Sequence, residues 1–232
     1  PGQNRFRKFT NVDAVHKSDV SLFVPAVALA TGDTTWFTDK DGDILDGVLA
    51  SGAIAPLLPP YYVEGGRSGL YVDGGVLHNS PVLKALEAGA NRVMVLLLST
   101  LKRKEALPQY TRTQNTSSGE PVSIDGLDII RFYYEVWKDE VFMKSELKSA
   151  CSQFPDAQIH GMMPGVSIGN ILDFSPEGIR HMESTGYNDA TAALKSSHGP
   201  VNLCEVFKHA EMLADNDSNN NTSTNAISPS LI

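Results

Sequence analysis

The chain has 232 residues, 41% of them hydrophobic and 20% charged, which is ordinary for a globular protein long enough to bury one substantial core. A formal net charge of −8 argues against broad nucleic-acid binding and against electrostatic docking of the whole surface onto anionic lipid. No stretch approaches the roughly 18 consecutive apolar residues that a membrane-spanning helix needs.

In chain order, residues 1–17 are polar and mildly basic, with Arg5-Phe6-Arg7-Lys8-Phe9, and carry the end of an earlier element. Ser21 to Thr31 is an apolar run fit for a buried strand. Pro25 within it removes one ladder donor and predicts an irregular or edge position. Thr34 to Thr38 reads as the hairpin partner of that strand. Asp39-Lys40-Asp41-Gly42-Asp43 has alternating carboxylates, but its glycine is fourth and its twelfth residue is Ala50, so it departs from a calcium-binding loop and reads as a polar turn. Asp46 to Pro56 is rich in small residues, suited to a helix packed closely on its neighbours, and ends in the turn Leu57-Leu58-Pro59-Pro60.

Tyr71-Val72-Asp73-Gly74-Gly75-Val76-Leu77-His78-Asn79-Ser80-Pro81-Val82 sets an acid at a strand end before two glycines, placing a carboxylate on backbone that other groups can approach closely. Pro81 to Gly89 reads as a short helix with Ser80 as N-cap. Arg92 to Ser99, rich in Val and Leu, reads as a strand buried on both faces, and this strand–helix alternation predicts an α/β sheet. Leu101 to Val122 reads as a surface loop. Its Lys102-Arg103-Lys104 is a solvated patch, or else a headgroup contact, and its Asn115-Thr116-Ser117 matches a glycosylation sequon of a kind common by chance. Leu127 to Phe154 carries a helical apolar pattern with Phe132, Tyr133, Trp137 and Phe142. That stripe is core packing, with an acyl-chain pocket or membrane interface as the functional alternative. Glu177 to Lys195 and Val201 to Ala214 read as helices, and Asp215 to Ile232 as a disordered Asn/Ser/Thr-rich tail.

Cys151 and Cys204 have no metal-ligand spacing and are expected as two buried free thiols. The six histidines show no convergent spacing. His78, five residues after Asp73, is the one placed to line a cleft.

Two blocks carry a family resemblance: Ala50, Ser51, Ala53, Ile54 and Pro56, then Asp73-Gly74-Gly75 with Asn79, Pro81 and Val82. In this order and spacing they resemble the C-terminal half of the patatin-like phospholipase domain, from about Ser21 to about Leu194. The resemblance implies a three-layer α/β sandwich with a central, mostly parallel sheet and helices on both faces, here incomplete. Residues 1–214 are then the C-terminal portion of that domain, and 215–232 the tail. It also implies a lipid acyl hydrolase, of phospholipase A or lysophospholipase type, that works through a Ser-Asp dyad. Asp73 is then the base, Gly74 and Gly75 its geometric support, and Asn79 a tie for the following turn. Neither a metal nor an organic cofactor is called for.

The family places a glycine-rich oxyanion loop and a G-x-S-x-G elbow well ahead of its D-G-G motif. Only 72 residues precede Asp73, and neither pattern occurs among them. The chain, starting at Pro1, is therefore expected to be a fragment, a processed chain or a truncated form whose nucleophile is supplied elsewhere, with a second chain that carries the N-terminal half as a further alternative. Gly165-Val166-Ser167-Ile168-Gly169 fits the elbow pattern, but helix signals follow only at Ser175-Pro176-Glu177 and the serine comes after the aspartate, so Ser167 reads as a strand or loop residue. The expected partner is a phospholipid or other acyl-ester lipid, with transient contact at a membrane surface. The alternative is a non-catalytic lipid-binding or regulatory form.

Overall fold

The computed structural model describes residues 8–55, 57–98, 145–165, 175–196 and 199–209. The chain divides into two units, Pro1–Lys84 and Ala85–Ile232.

The first unit opens with helix α1 (Val12–His16), capped by the Asn11 side chain, which accepts from the Ala14 N–H. A four-stranded sheet follows, with strands β1 (Phe23–Ala28), β2 (Thr34–Thr38), β3 (Tyr61–Val63) and β4 (Gly69–Asp73) in the spatial order β2-β1-β4-β3. Every pairing in it is antiparallel. The short β1–β2 and β3–β4 connections allow no other direction, because a parallel pair needs a crossover of a dozen residues or more. β4 returns beside β1 only after the helical segment Ile44–Ser51. The expected hairpin of Ser21–Thr31 with Thr34–Thr38 is there, with Phe23 opposite Thr38 and Val27 opposite Thr34.

Pro25 corrects one expectation, since β1 is an interior strand and not an edge. The ladder to β4 runs only from Ala26, opposite Asp73, to Ala28, opposite Tyr71. Pro25 lies beyond its end, so β4 asks no N–H of it.

Helix α2 (Ile44–Ser51) packs on this sheet through Gly47 and Ala50, both buried. A Cβ on Gly47 would stand 2.2 Å from Cγ of Phe37, so glycine here lets the helix backbone lie against the ring. Phe37, fully buried, meets Tyr71 edge to face at 5.7 Å and is surrounded by Ala26, Ile44, Ala50 and Val63, the core of this unit.

The Asp39–Asp43 segment is a polar turn whose carboxylates are occupied by protein partners. Asp41 accepts from the Thr38 N–H and hydroxyl, and Arg67 pairs with both Asp41 (2.7 Å) and Asp43 (2.8 Å) while its guanidinium lies 4.6 Å from the centroid of the Phe37 ring. The arginine thus ties the turn before α2 to the β3–β4 hairpin and covers the core ring from outside.

Helix α3 (Val82–Glu87) starts one residue later than predicted and carries the boundary between the units. It ends on Gly89 at φ +100°, with Gly89 N–H donating to Leu86 and Ala90 N–H to Ala85, a left-handed stop for which glycine is suited.

The second unit contains β5 (Arg92–Leu96), α4 (Lys148–Gln153), β6 (Gln158–Met162), α5 (Pro176–Lys195), β7 (Val201–Asn202) and a helix, α6, at 203–209. β5 and β6 are parallel, and β7 returns antiparallel to β6. Helix α5 begins as read, with Ser175 accepting from the Gly178 N–H and Pro176 in the first turn.

The mixed α/β class is what the structure shows. A mostly parallel sheet is not: among the described residues β5–β6 is the parallel pair, and the rest are antiparallel. β5 is also not buried on both faces, since Met94 and Leu96 are 47% and 69% exposed while Val95 is buried. The predicted helix from Val201 starts at 203, after two strand residues.

Cys151 and Cys204 are joined in a disulfide, with Cα atoms 5.8 Å apart, which corrects the expectation of free thiols. The antiparallel return of β7 along β6 brings residue 204 back to the end of α4, and that juxtaposition depends on a pairing that spacing alone does not reveal.

The aromatic stripe at Phe132 to Phe142, the sequon at Asn115, the Lys102-Arg103-Lys104 patch, Ser167 and the tail lie outside the described residues. No helix among the described residues is long and apolar enough to cross a membrane.

Candidate functional site

Strand β4 delivers Asp73 to the point where the sheet ends. Its N–H donates to the Ala53 carbonyl (3.1 Å), tying the strand end to the chain just after α2, and Ala26 stands opposite it on β1. The two blocks that drew attention in the sequence are therefore in direct backbone contact.

Beyond Asp73 the chain turns through a single 3-10 turn, Gly74–Val76. The Asp73 carboxylate accepts a 2.7 Å hydrogen bond from the Gly75 N–H through Oδ1, which fixes the orientation of the carboxyl plane. Its Oδ2 carries no hydrogen bond among the described residues.

Close approach requires glycine at 74 and leaves little room for a side chain at 75. A Cβ on Gly74 would lie 2.1 Å from the Pro25 carbonyl oxygen and 2.4 Å from its carbon, so the turn rests backbone on backbone against β1. A Cβ on Gly75 would come within 3.0 Å of Asp73 Oδ1 and 3.6 Å of Asn79 Oδ1. Asn79 itself is exposed, with its side-chain oxygen reaching back toward this turn.

Burial pushes the Asp73 carboxyl above the ordinary carboxylate range, opposed by the Gly75 hydrogen bond. Desolvation wins because one backbone donor does not replace the hydration shell of an anion. A carboxylate so placed is a better proton acceptor near neutrality than an exposed aspartate.

His78 is turned toward β2. Its Nε2 lies 3.1 Å from Thr34 Oγ1, and its ring is 5.0 Å from that of Trp36. Lys84 Nζ completes the cluster, 5.4 Å from the centroid of the Trp36 ring and 5.5 Å from that of Phe23. These contacts pin the segment after the Asp73 turn to the β1–β2 hairpin and give His78 a structural task.

Sequence reasoning found Asp73, Gly74, Gly75 and Asn79, and the structure gathers all four at one turn. It missed Pro25 as the surface on which Gly74 rests, and it missed Arg67. The only sequence signal for Arg67 was a lone basic residue between a glycine pair and a strand, within reach of an acidic turn.

A search of curated proteins found no match to this chain. Residues 13–86, which run from α1 through the Asp73 turn into α3, match the family model for patatin-like phospholipase, so the stretch that builds this site is patatin-like.

Proposed function

We propose that this chain supplies the aspartate of a Ser-Asp dyad that hydrolyses acyl esters of lipids. The observation that carries the reading is the half-buried Asp73 carboxylate, oriented by the Gly75 N–H through one oxygen, with its other oxygen unengaged among the described residues. The patatin-like match of residues 13–86 points to the lipid acyl hydrolases as the class, and thus to lipid substrates.

In this reading Asp73 Oδ2 accepts the proton of a serine hydroxyl as the serine oxygen attacks the ester carbonyl. It returns that proton to the leaving alkoxide, and a water then repeats the cycle to release the fatty acid. The serine comes from a G-x-S-x-G elbow that does not precede Asp73 in this sequence, and the oxyanion donors come with it. Gly74 and Gly75 let the nucleophile approach, and Asn79 steadies the turn.

The test measures hydrolysis of a short-chain p-nitrophenyl ester and of phosphatidylcholine vesicles. It uses the chain alone, the chain with a patatin-like N-terminal half added in trans, and the Asp73→Ala and Ser167→Ala variants. Turnover is expected only with the added half, falling about 10³-fold in Asp73→Ala and unchanged in Ser167→Ala. Turnover that survives Asp73→Ala removes Asp73 from the reaction. Turnover by the chain alone that is lost in both variants makes Ser167 the nucleophile. Vesicle binding without turnover under every condition supports the second reading, a non-catalytic lipid-binding form.

A further inference from the structure

The second unit holds a feature that the hydrolase reading does not use. The Cys151–Cys204 disulfide joins the α4 segment to the second residue of α6, closing a loop of 53 residues in sequence. Besides it, among the described residues, the segment 199–209 is held by a short ladder and by two buried side chains, Leu203 and Phe207. β7 is two residues long and pairs only His160 with Asn202 and Gly161 with Val201. The Asn202 side chain accepts from the N–H groups of Cys204 and Glu205, but those bonds stay within the segment.

The two buried side chains, Leu203 and Phe207, also seat it. Leu203, fully buried, lies over Gly161 so closely that a Cβ there would stand 2.7 Å from Leu203 Cδ2.

This segment also forms a wall. An apolar groove of about 220 Å³ runs between the end of β6 at Met162 and Pro164, helix α5 at Ala192 and Ala193, and Pro200 and Val201. Gly199, in the left-handed region at φ +65°, turns the chain into that wall, and the bridge stands three residues beyond Val201.

We propose that the Cys151–Cys204 bridge is a redox-sensitive clasp that holds residues 199–209 on the β6 edge and so keeps the groove wall in place. Both half-cystines are only partly buried, so a small dithiol can reach them. A reductant thiolate attacks one sulfur, the S–S bond breaks and a mixed disulfide forms. The second reductant thiol then displaces the remaining protein thiolate. The dithiol is oxidised to its cyclic disulfide, and two electrons and two protons leave Cys151 and Cys204 as thiols. Among the described residues, a two-pair ladder and the buried Leu203 and Phe207 then seat the segment without a covalent tie, and the wall loosens. The inference is independent of the role of Asp73.

Hydrogen exchange read by mass spectrometry tests it on the whole chain, oxidised and after dithiothreitol, with Cys204→Ser alongside. On reduction, exchange in peptides covering 199–209 is expected to rise about tenfold or more, since a cross-link closing so long a loop exceeds that factor. Peptides covering 23–38 and 69–73 are expected to keep their protection, and Cys204→Ser to show the same rise without reductant. Unchanged exchange at 199–209 on reduction overturns the proposal, as do two free thiols in protein prepared without reductant. Loss of protection throughout 23–73 overturns it too, because the bridge would then be a staple of the whole fold. Should Cys204→Ser fail to fold, reduction of the unaltered chain still decides among these outcomes.

Discussion

The two units solve the same problem, covering an apolar sheet, by opposite means. In the first, each edge strand is joined to its inner neighbour by a short turn, the inner pair β1–β4 is backed by α2, the core closes around Phe37, and Arg67 seals it from outside. In the second, β5 and β6 pair in parallel across a long intervening chain, and a face of β5 is left open, with Met94 at 47% and Leu96 at 69% exposed. There a covalent cross-link supplies part of what local pairing supplies in the first unit. Contacts close in sequence recover their closure entropy at once, whereas pairing over a long loop must be supported by something else. The candidate site sits in the unit that needs no cross-link, where a carboxylate can be held half-buried by backbone alone.

That contrast can be broken most directly at Phe37. Phe37→Ala removes the ring that Tyr71, Gly47 and Arg67 all pack against, and is expected to lower unfolding free energy by about 3–5 kcal/mol. Chemical denaturation followed by near-UV circular dichroism measures it, and a loss under about 1 kcal/mol would mean the first unit is far less tightly closed than its geometry shows.

A smaller effect comes from Asp73→Asn, which keeps an acceptor for the Gly75 N–H and removes the buried charge. Because burial raises the folded pKa of Asp73, the folded state takes up the proton more readily than the unfolded chain. The ionised group therefore opposes folding above its folded pKa, and this penalty fades as pH falls through that value. The variant is expected to be more stable at neutral pH by at most about 1 kcal/mol, with the difference vanishing in mild acid. Thermal melts across that range read the effect. Asp41 has the opposite sign, since pairing with Arg67 lowers its pKa and its contribution to stability disappears as the pH drops through that lowered value.

The smallest change is expected on the open face of β5. Leu96→Ser is expected to alter stability by no more than about 0.5 kcal/mol while reducing self-association in light scattering, because the side chain is already in water. A loss of several kcal/mol would show that the face is covered in solution and would remove the contrast between the units.

How much was legible follows the same division. The β1–β2 hairpin, the close-packed α2, the glycine stop after α3 and the start of α5 were all written in local patterns, and so was the Asp73 turn. What escaped depended on distant partners. The Val- and Leu-rich composition of β5 marked a strand but not which faces its neighbours cover. β6 went unread because Gln158-Ile159-His160-Gly161-Met162 buries only Ile159 and Gly161, a weak alternation, and the cysteine pair became visible only once β7 was known to run back along β6. Pro25 misled because its rule concerns ladder demand, and the β4 ladder ends one residue short of it. Arg67 meets its carboxylates across the sheet, at a separation where charge pairing leaves no periodic trace.

The contact of Gly74 with the Pro25 carbonyl has a genetic reading. Any single-nucleotide change in the first two bases of a glycine codon inserts a side chain or a stop, and at position 74 even one methyl group meets a main-chain atom that has no rotamer to yield. In a library of all single substitutions, position 74 is expected to be a blank column, tolerating silent changes alone, whereas Gly66, around which a Cβ meets open space, fills freely. The first glycine after the aspartate thus works as a gauge block: its lack of a side chain sets the spacing between the turn and β1, and the Asp73 carboxylate inherits its position from that spacing.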